Sequence, residues 1–598
     1  MSLWVPRRGV RPGPPTASPF RVYMRLSDLF PTVEEDWTTF RELLNSLSRT
    51  DSVFWAARLN LIVSHPGDAP HRDRQAFAYR EFLNSHQRQL ADRFIRDHGP
   101  ADWVALFFRG QLLELVRWLV LFSRDRPNDG TTFEDPLVRE KFVQAALIAS
   151  KIWEKRVFGD KFGIGNDLYQ AQLQSLPVWR RNVEENDPAP ELEVSLGRSS
   201  LLFERYLPSH LPTFGEDFRS RVGLSLEQYL LCAAGLICQY QNPRLNSGVF
   251  DSHSFAVDTL YGNQFATYLV GFSQTLDELE RALWPTAEKH AIAGQIKTED
   301  VPAFTFRPLR GRPVLRANDG RAIIVDPHLF SDSLTAGPLF TVARKERAGD
   351  DVFRAFGYAV EDYVCDVLRR MYPSDSPVLA KRLSCRVSLV VGSERCEIDA
   401  CLNDVGDLVV FEIKAVWLPE DEIQASDPKQ YIALLRKKYG VTRDGGQVKG
   451  IGQLARALDM VIRSNRSEFD AVRRIYPVLL VYDPFVASPV HGGFLARELR
   501  DLLGKMTIDQ TGGGTARIED LILMTVEELE VLESSVGSFR LLDLLGDYSR
   551  ASAGRETSLR NFMATSRYRD SFKHNRTLSE TAHALLTRAA REIFGVTV

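Results

Sequence analysis

Residues Leu408 to Trp417 read LVVFEIKAVW, and this stretch decides the fold. It is apolar except for Glu412 and Lys414. It is rich in β-branched and aromatic residues and follows a turn-forming Asn403–Asp407 (NDVGD), so it reads as a strand entered from a tight reversal. Side chains alternate along a strand. Leu408, Val410, Glu412 and Lys414 therefore share one face, while Val409, Phe411, Ile413 and Ala415 point the other way into a core. A carboxylate and an ammonium thus stand side by side at the end of an otherwise apolar element. Charges are costly there unless they are paired or used. The bland alternative is an exposed Glu–Lys pair on a surface hairpin, and the apolar run around the pair argues against it.

Upstream, Cys385–Val391 and Arg395–Leu402 read as two further strands. The NDVGD turn folds the second of these back against the third, antiparallel, and carries Asp399 to the same end as Glu412 and Lys414. Phosphodiester hydrolysis needs an activated water and stabilisation of charge building on phosphate. A hard cation held by carboxylates supplies much of both, and Mg²⁺ needs only one or two carboxylates because it keeps several waters. A nearby lysine can orient the water and offset the growing negative charge. Around these strands the pattern continues as a helix over Asp351–Tyr372, with Phe353, Phe356, Val360, Val364, Val367 and Leu368 on its apolar stripe. A helix over Gly446–Ile462 and a buried strand over Tyr476–Tyr482 follow. The predicted order is helix, three strands, helix, strand.

Glu397-Ile398-Asp399 followed by Phe411-Glu412-Ile413-Lys414, in that order of elements, resembles the PD-(D/E)XK superfamily of restriction-endonuclease-like nucleases. The resemblance covers roughly residues 353–483. It implies that Asp399 and Glu412 ligate Mg²⁺, with Mn²⁺ able to substitute, that the Ile413 carbonyl helps, and that Lys414 assists the attacking water. It further implies an acidic ligand at Glu361 on the first helix and an active-site glutamine at Gln453 on the following helix. The sequence departs from the motif in having Ile398, not proline, before Asp399. The competing reading for Glu361 and Gln453 is a pair of solvated helix residues.

The chain has 598 residues, 44% hydrophobic and 26% charged, which suits a soluble protein of several domains. Its net charge of -3 excludes coating of nucleic acid by bulk positive charge, so any such contact rests on local patches. Six scattered cysteines, without zinc spacing, point to free thiols in a reducing, cytoplasmic setting; a disulfide between Cys396 and Cys401 is the weaker reading. No secretory leader is evident. Ala101–Ser123 is apolar enough to suggest a membrane span, but Arg109, Glu114 and Arg117 interrupt it, so it is expected to be a buried helix.

The fold class expected is α+β. Residues 1–20 form a tail, 21–300 a mainly helical recognition or regulatory region, 301–345 a β-hairpin connector, 346–490 the αβββαβ core, and 491–598 a mainly helical C-terminal extension. Arg307, Arg310, Arg312 and Arg316 on the connector, and Lys437, Lys438, Arg443 and Lys449 after the active strand, are candidate phosphate contacts; solvated charge serves equally well for each. Gly512–Gly514 reads as a loop without phosphate-binding context. The expected activity is a Mg²⁺-dependent nuclease acting on DNA, forming a homodimer or higher oligomer where both strands are cut. A role in antiviral defence against foreign DNA follows by analogy of fold alone. The alternative is a non-catalytic nucleic-acid-binding or scaffold protein on an inherited nuclease fold.

Overall fold

The computed structural model describes residues 22–64, 71–98, 104–125, 133–158, 176, 191–240, 248–252, 261–291, 306–343, 349–373, 383–418, 428–440, 449–464, 469, 472–505, 516–552, 557–573 and 575–595. The tail, Arg443 and Gly512–Gly514 lie outside them.

The N-terminal half is mainly helical. Its central helix, Arg109–Phe122, is buried along nearly its whole length. The charges that interrupt this apolar segment are neutralised inside the protein. The Arg109 guanidinium donates to both carboxylate oxygens of Asp326 at 2.7 and 2.9 Å, and Glu114 accepts from Trp118 Nε1 at 2.8 Å. No single described helix is long and apolar enough to cross a membrane. The expected hairpin forms between Val314–Arg316 and Arg321–Ile324, but it is more than a connector. Val249–Asp251 and Ser273–Thr275 flank it in a four-stranded sheet, so the helical region contributes both edges. Pro327–Thr335 and Gly337–Ala343, where a hairpin connector was expected to continue, are helical.

The second half is built on a mixed sheet. Helix α1 (Gly349–Met371) leads to β1 (Leu383–Val391), β2 (Glu394–Asp404) and β3 (Asp407–Lys414). These three strands form an antiparallel meander. Helices α2 (Pro428–Tyr439) and α3 (Ile451–Arg463) then carry the chain to β4 (Arg474–Val481), which pairs parallel to β3. Beyond it come α4 (Pro489–Lys505), β5 (Arg517–Ile518), β6 (Ile522–Thr525) and α5 (Val526–Glu533). The last begins with the capping box expected from Thr525 and Glu528. The helix–three strands–helix–strand order is present, with α2 as an extra helix that the periodicity did not reveal.

The reversal between β2 and β3 is a two-residue turn, Val405–Gly406, both at positive φ (55° and 89°), as a hairpin of this length requires. The flanking Asp404 and Asp407 are held by Arg540 and Arg474. Both faces of β3 are buried. Val409, Phe411 and Ile413 join the large core continuous with the N-terminal helices. Leu408 and Val410 join a second core beneath α2, α3 and α4. A strand covered by helices on both sides is apolar on both sides, which is why LVVFEI shows almost no alternation of polarity. The start of α3 is pinned by a close backbone crossing: Gly440 has φ 94°, and a Cβ there would lie 1.6 Å from the Lys449 carbonyl oxygen.

The last helix, Arg576–Phe594, starts from Asn575, which donates to Glu530 and Glu533 of α5. It packs on Leu192–Ser200 and Leu226–Tyr240 of the N-terminal half. Contact is closest at Gly197, where an added Cβ would meet the Leu578 carbonyl oxygen at 2.5 Å. All six cysteines are free thiols.

Candidate active site

The site forms where the meander opens. β2 and β3 stay paired only from Asp404↔Asp407 to Ala400↔Phe411. One residue further, Asp399 turns its side chain into the gap, and its Oδ2 accepts the Ile413 N–H at 2.7 Å. The carboxylate thus replaces a backbone partner and is fixed against β3 beside Glu412. The neighbouring β1–β2 pair is interrupted at the same level. Cys385 pairs with Ala400 and Val387 with Ile398, but the rung between them, Arg386 opposite Asp399, is open. Arg386 takes φ 53° there. The consequence is a change of face: Cys385 and Ala400 lie against the core shared with the helical region, whereas Val387 and Ile398 lie in the core beneath α3.

Glu412 is 1% exposed, on the α3 face of β3. Lys414 Nζ comes within 2.7 Å of its Oε1. That approach makes an ion pair, and among the described residues Oε1 has no other partner in its buried setting. Burial drives the Glu412 carboxyl up to about 8, with the charges of Asp399 and Glu361 adding to the rise and Lys414 opposing it. Glu361, on α1, is pushed by burial to about 7, again with Asp399 adding. Asp399 is raised by burial, against Lys414 and the Ile413 N–H. Burial pulls Lys414 down, but Glu412 and Asp399 outweigh it and hold the ammonium above its ordinary value. Glu361, Asp399, Glu412 and Lys414 therefore share one electrostatic environment.

Gln453 is placed differently. It is half-buried in the first turn of α3 and makes no hydrogen bond to these residues. Among the cations expected to line a groove, Lys437 and Lys449 are exposed and Lys438 is half-buried, while Arg310 is committed to Asp332 at 2.6 Å. The residues that composition and periodicity missed are Arg386, Asp362 and His210. Arg386 Nη2 lies 2.6 Å from Asp362 Oδ1, and Asp362 Oδ2 lies 2.7 Å from His210 Nε2. His210 belongs to the N-terminal half. Arg386 stands opposite Asp399 in register at the break in the β1 ladder, and sequence alternation carries no signal for such a break.

Among the described residues, no group of three or more His, Cys, Asp and Glu side chains is set to enclose a metal ion. The donors are instead a small set of hard oxygens, with the Lys414 ammonium beside Glu412. That suits a cation that keeps most of its own waters better than a closed cage. A buried carboxylate oxygen with no partner besides Lys414 among the described residues fits the same need. Comparison with protein-family models, with curated proteins and with solved structures finds no match to this chain.

Proposed function

We propose that this chain is a metal-dependent nuclease that hydrolyses phosphodiester bonds in DNA, with a restriction-endonuclease-like core. The observation that carries the reading is the convergence of Asp399, Glu412 and Lys414 at the opened end of a buried strand, with the charge of Glu361 felt at Glu412. A helix, an antiparallel meander, two helices and a parallel strand follow in order, and apart from the extra helix α2 this supports such a core. Asp399 and Glu412 would hold Mg²⁺ or Mn²⁺, with the Ile413 carbonyl and Glu361 as further oxygen donors. Such an ion polarises a phosphate oxygen and makes its bound water acidic. Lys414, kept charged by its carboxylate neighbours, orients the attacking water and offsets charge on the phosphate. Burial raises the Glu361 and Glu412 carboxyls to about 7 and about 8, so a bound cation would displace protons from them near neutrality.

A binding protein on an inherited fold has no need to keep two acids buried at such a cost, and the intact cluster speaks against that reading. A defence role remains an analogy of fold. The test is direct. The purified chain should cut or nick DNA in Mg²⁺ or Mn²⁺ and stop on chelation, and Glu412→Ala or Lys414→Ala should abolish cutting while the protein stays folded. Equal activity in the wild type and both variants would refute the assignment.

A further inference from the structure

Lys414 pairs with Glu412 and faces the attacking water, so a second cation on the phosphate would share the neutralisation of its charge. Arg386 stands on the other side of Asp399, across the open rung of β1 and β2. Its side chain is 44% exposed. One nitrogen, Nη2, is engaged by Asp362, and among the described residues its guanidinium has no other ion pair or hydrogen bond. Four N–H donors of the planar fork are therefore free, in the geometry that matches phosphate.

The backbone makes the placement informative. A left-handed conformation costs a residue with a Cβ more than a half-exposed ion pair returns. A surface Arg–Asp pair alone does not account for Arg386 at φ 53°. The same conformation reverses the faces of β1 at the level of Asp399 and leaves this side chain half-exposed beside Asp362, the residue after Glu361 on α1. Arg386 is also among the charges that hold the Asp399 and Glu361 carboxyls down against burial, so it lies within their electrostatic reach. Asp362 aims it, and His210 from the N-terminal half holds the second oxygen of Asp362.

Resting on the nuclease reading above, we propose that Arg386 is a phosphate-binding residue of the substrate site, donating to a nonbridging oxygen of the strand that lies against Asp399. It acts by electrostatic positioning of the substrate and forms no bond to it. Lys414 then serves the water and Arg386 the phosphate.

The experiment uses the full chain carrying Glu412→Gln, in chelator, with a fluorescein-labelled single-stranded DNA oligonucleotide read by anisotropy across a salt series. Adding Arg386→Gln should weaken binding roughly tenfold and lower the slope of log affinity against log salt by about 0.7, the loss of one phosphate contact. Arg386→Lys should restore the slope, because the charge returns. Thermal unfolding of each variant controls for folding. Unchanged affinity and slope in Arg386→Gln overturn the proposal. If the wild type meanwhile cleaves DNA, only the assignment of Arg386 falls. If the wild type does not cleave but the slope still depends on Arg386, the phosphate site stands and the nuclease reading falls. If the chain neither cleaves nor binds, both fall.

Discussion

Replacing Glu412 by glutamine tests the electrostatics of the site without any assumption about substrate. Glu412 is buried and its carboxyl is pushed from 4.5 to about 8, with burial the main cause. The folded protein therefore holds this proton more tightly than the unfolded chain does. Its contribution to stability is fully present below about pH 4.5 and is lost as pH rises through about 8. A displacement of that size corresponds to several kcal/mol, on the order of 5. Glutamine has the same shape and never ionises. It does remove one counter-charge from Lys414, although Asp399 remains beside the ammonium. The two proteins should thus unfold alike near about pH 5, and Glu412→Gln should be the more stable by a few kcal/mol near about pH 9. Urea unfolding in chelator at both pH values reads the difference. Saturating Mn²⁺ should reverse the order at high pH by stabilising the wild type alone. A difference between the proteins that does not change with pH, or a wild type that gains on the variant as pH rises, would refute the reasoning.

Asp399→Ala should cost about 1–3 kcal/mol in addition to activity, because the Ile413 N–H loses its acceptor inside the protein. Asp399→Asn keeps a side-chain oxygen there and should unfold close to the wild type in the absence of metal; equal stability of the Ala and Asn variants in chemical denaturation would contradict this. Arg198→Met should destabilise the chain by about 3–5 kcal/mol, measured the same way. It strands Glu530, whose two oxygens accept from Arg198 at 2.8 and 2.6 Å, in the contact that joins the N-terminal half to α5. Tyr363 of α1 shares that carboxylate at 2.7 Å, so the loss should also loosen α1, which carries Glu361. A cost below about 1 kcal/mol would show that the buried pair contributes little.

The strand at Leu408 was legible because burial on both faces leaves a run of apolar residues in which two charges stand out. The β2–β3 turn was legible because it uses turn-forming residues, and α1 because its apolar stripe is long. Asp399, Glu412 and Lys414 could be placed together from a turn and an alternation alone. Arg386 could not be, because its position depends on one residue leaving the β region, and the local sequence, Ser384 to Val387, reads as ordinary strand. Helix α2 was hidden among its own charges, and Lys437 and Lys438 sit in its last turn. The sheet around Val314–Ile324 was legible as a hairpin only, since its outer strands come from remote segments of three residues each. The return of the C-terminal helix to Leu192–Ser200 is a tertiary contact with no local signature.

Binding of a divalent cation tests the metal centre most directly, because it needs no knowledge of the substrate. Titration calorimetry of Mn²⁺ into the wild type, in buffers of different ionisation enthalpy, reads both uptake and the protons released. The expected result is saturable binding with net proton release near neutrality, since Glu412 at about 8 and Glu361 at about 7 surrender protons to the ion. Glu412→Gln should lose most of that binding. No uptake up to about 10 mM, far above the range of a working catalytic metal site, or equal uptake by the Glu412→Gln variant, would contradict a metal centre at Asp399 and Glu412.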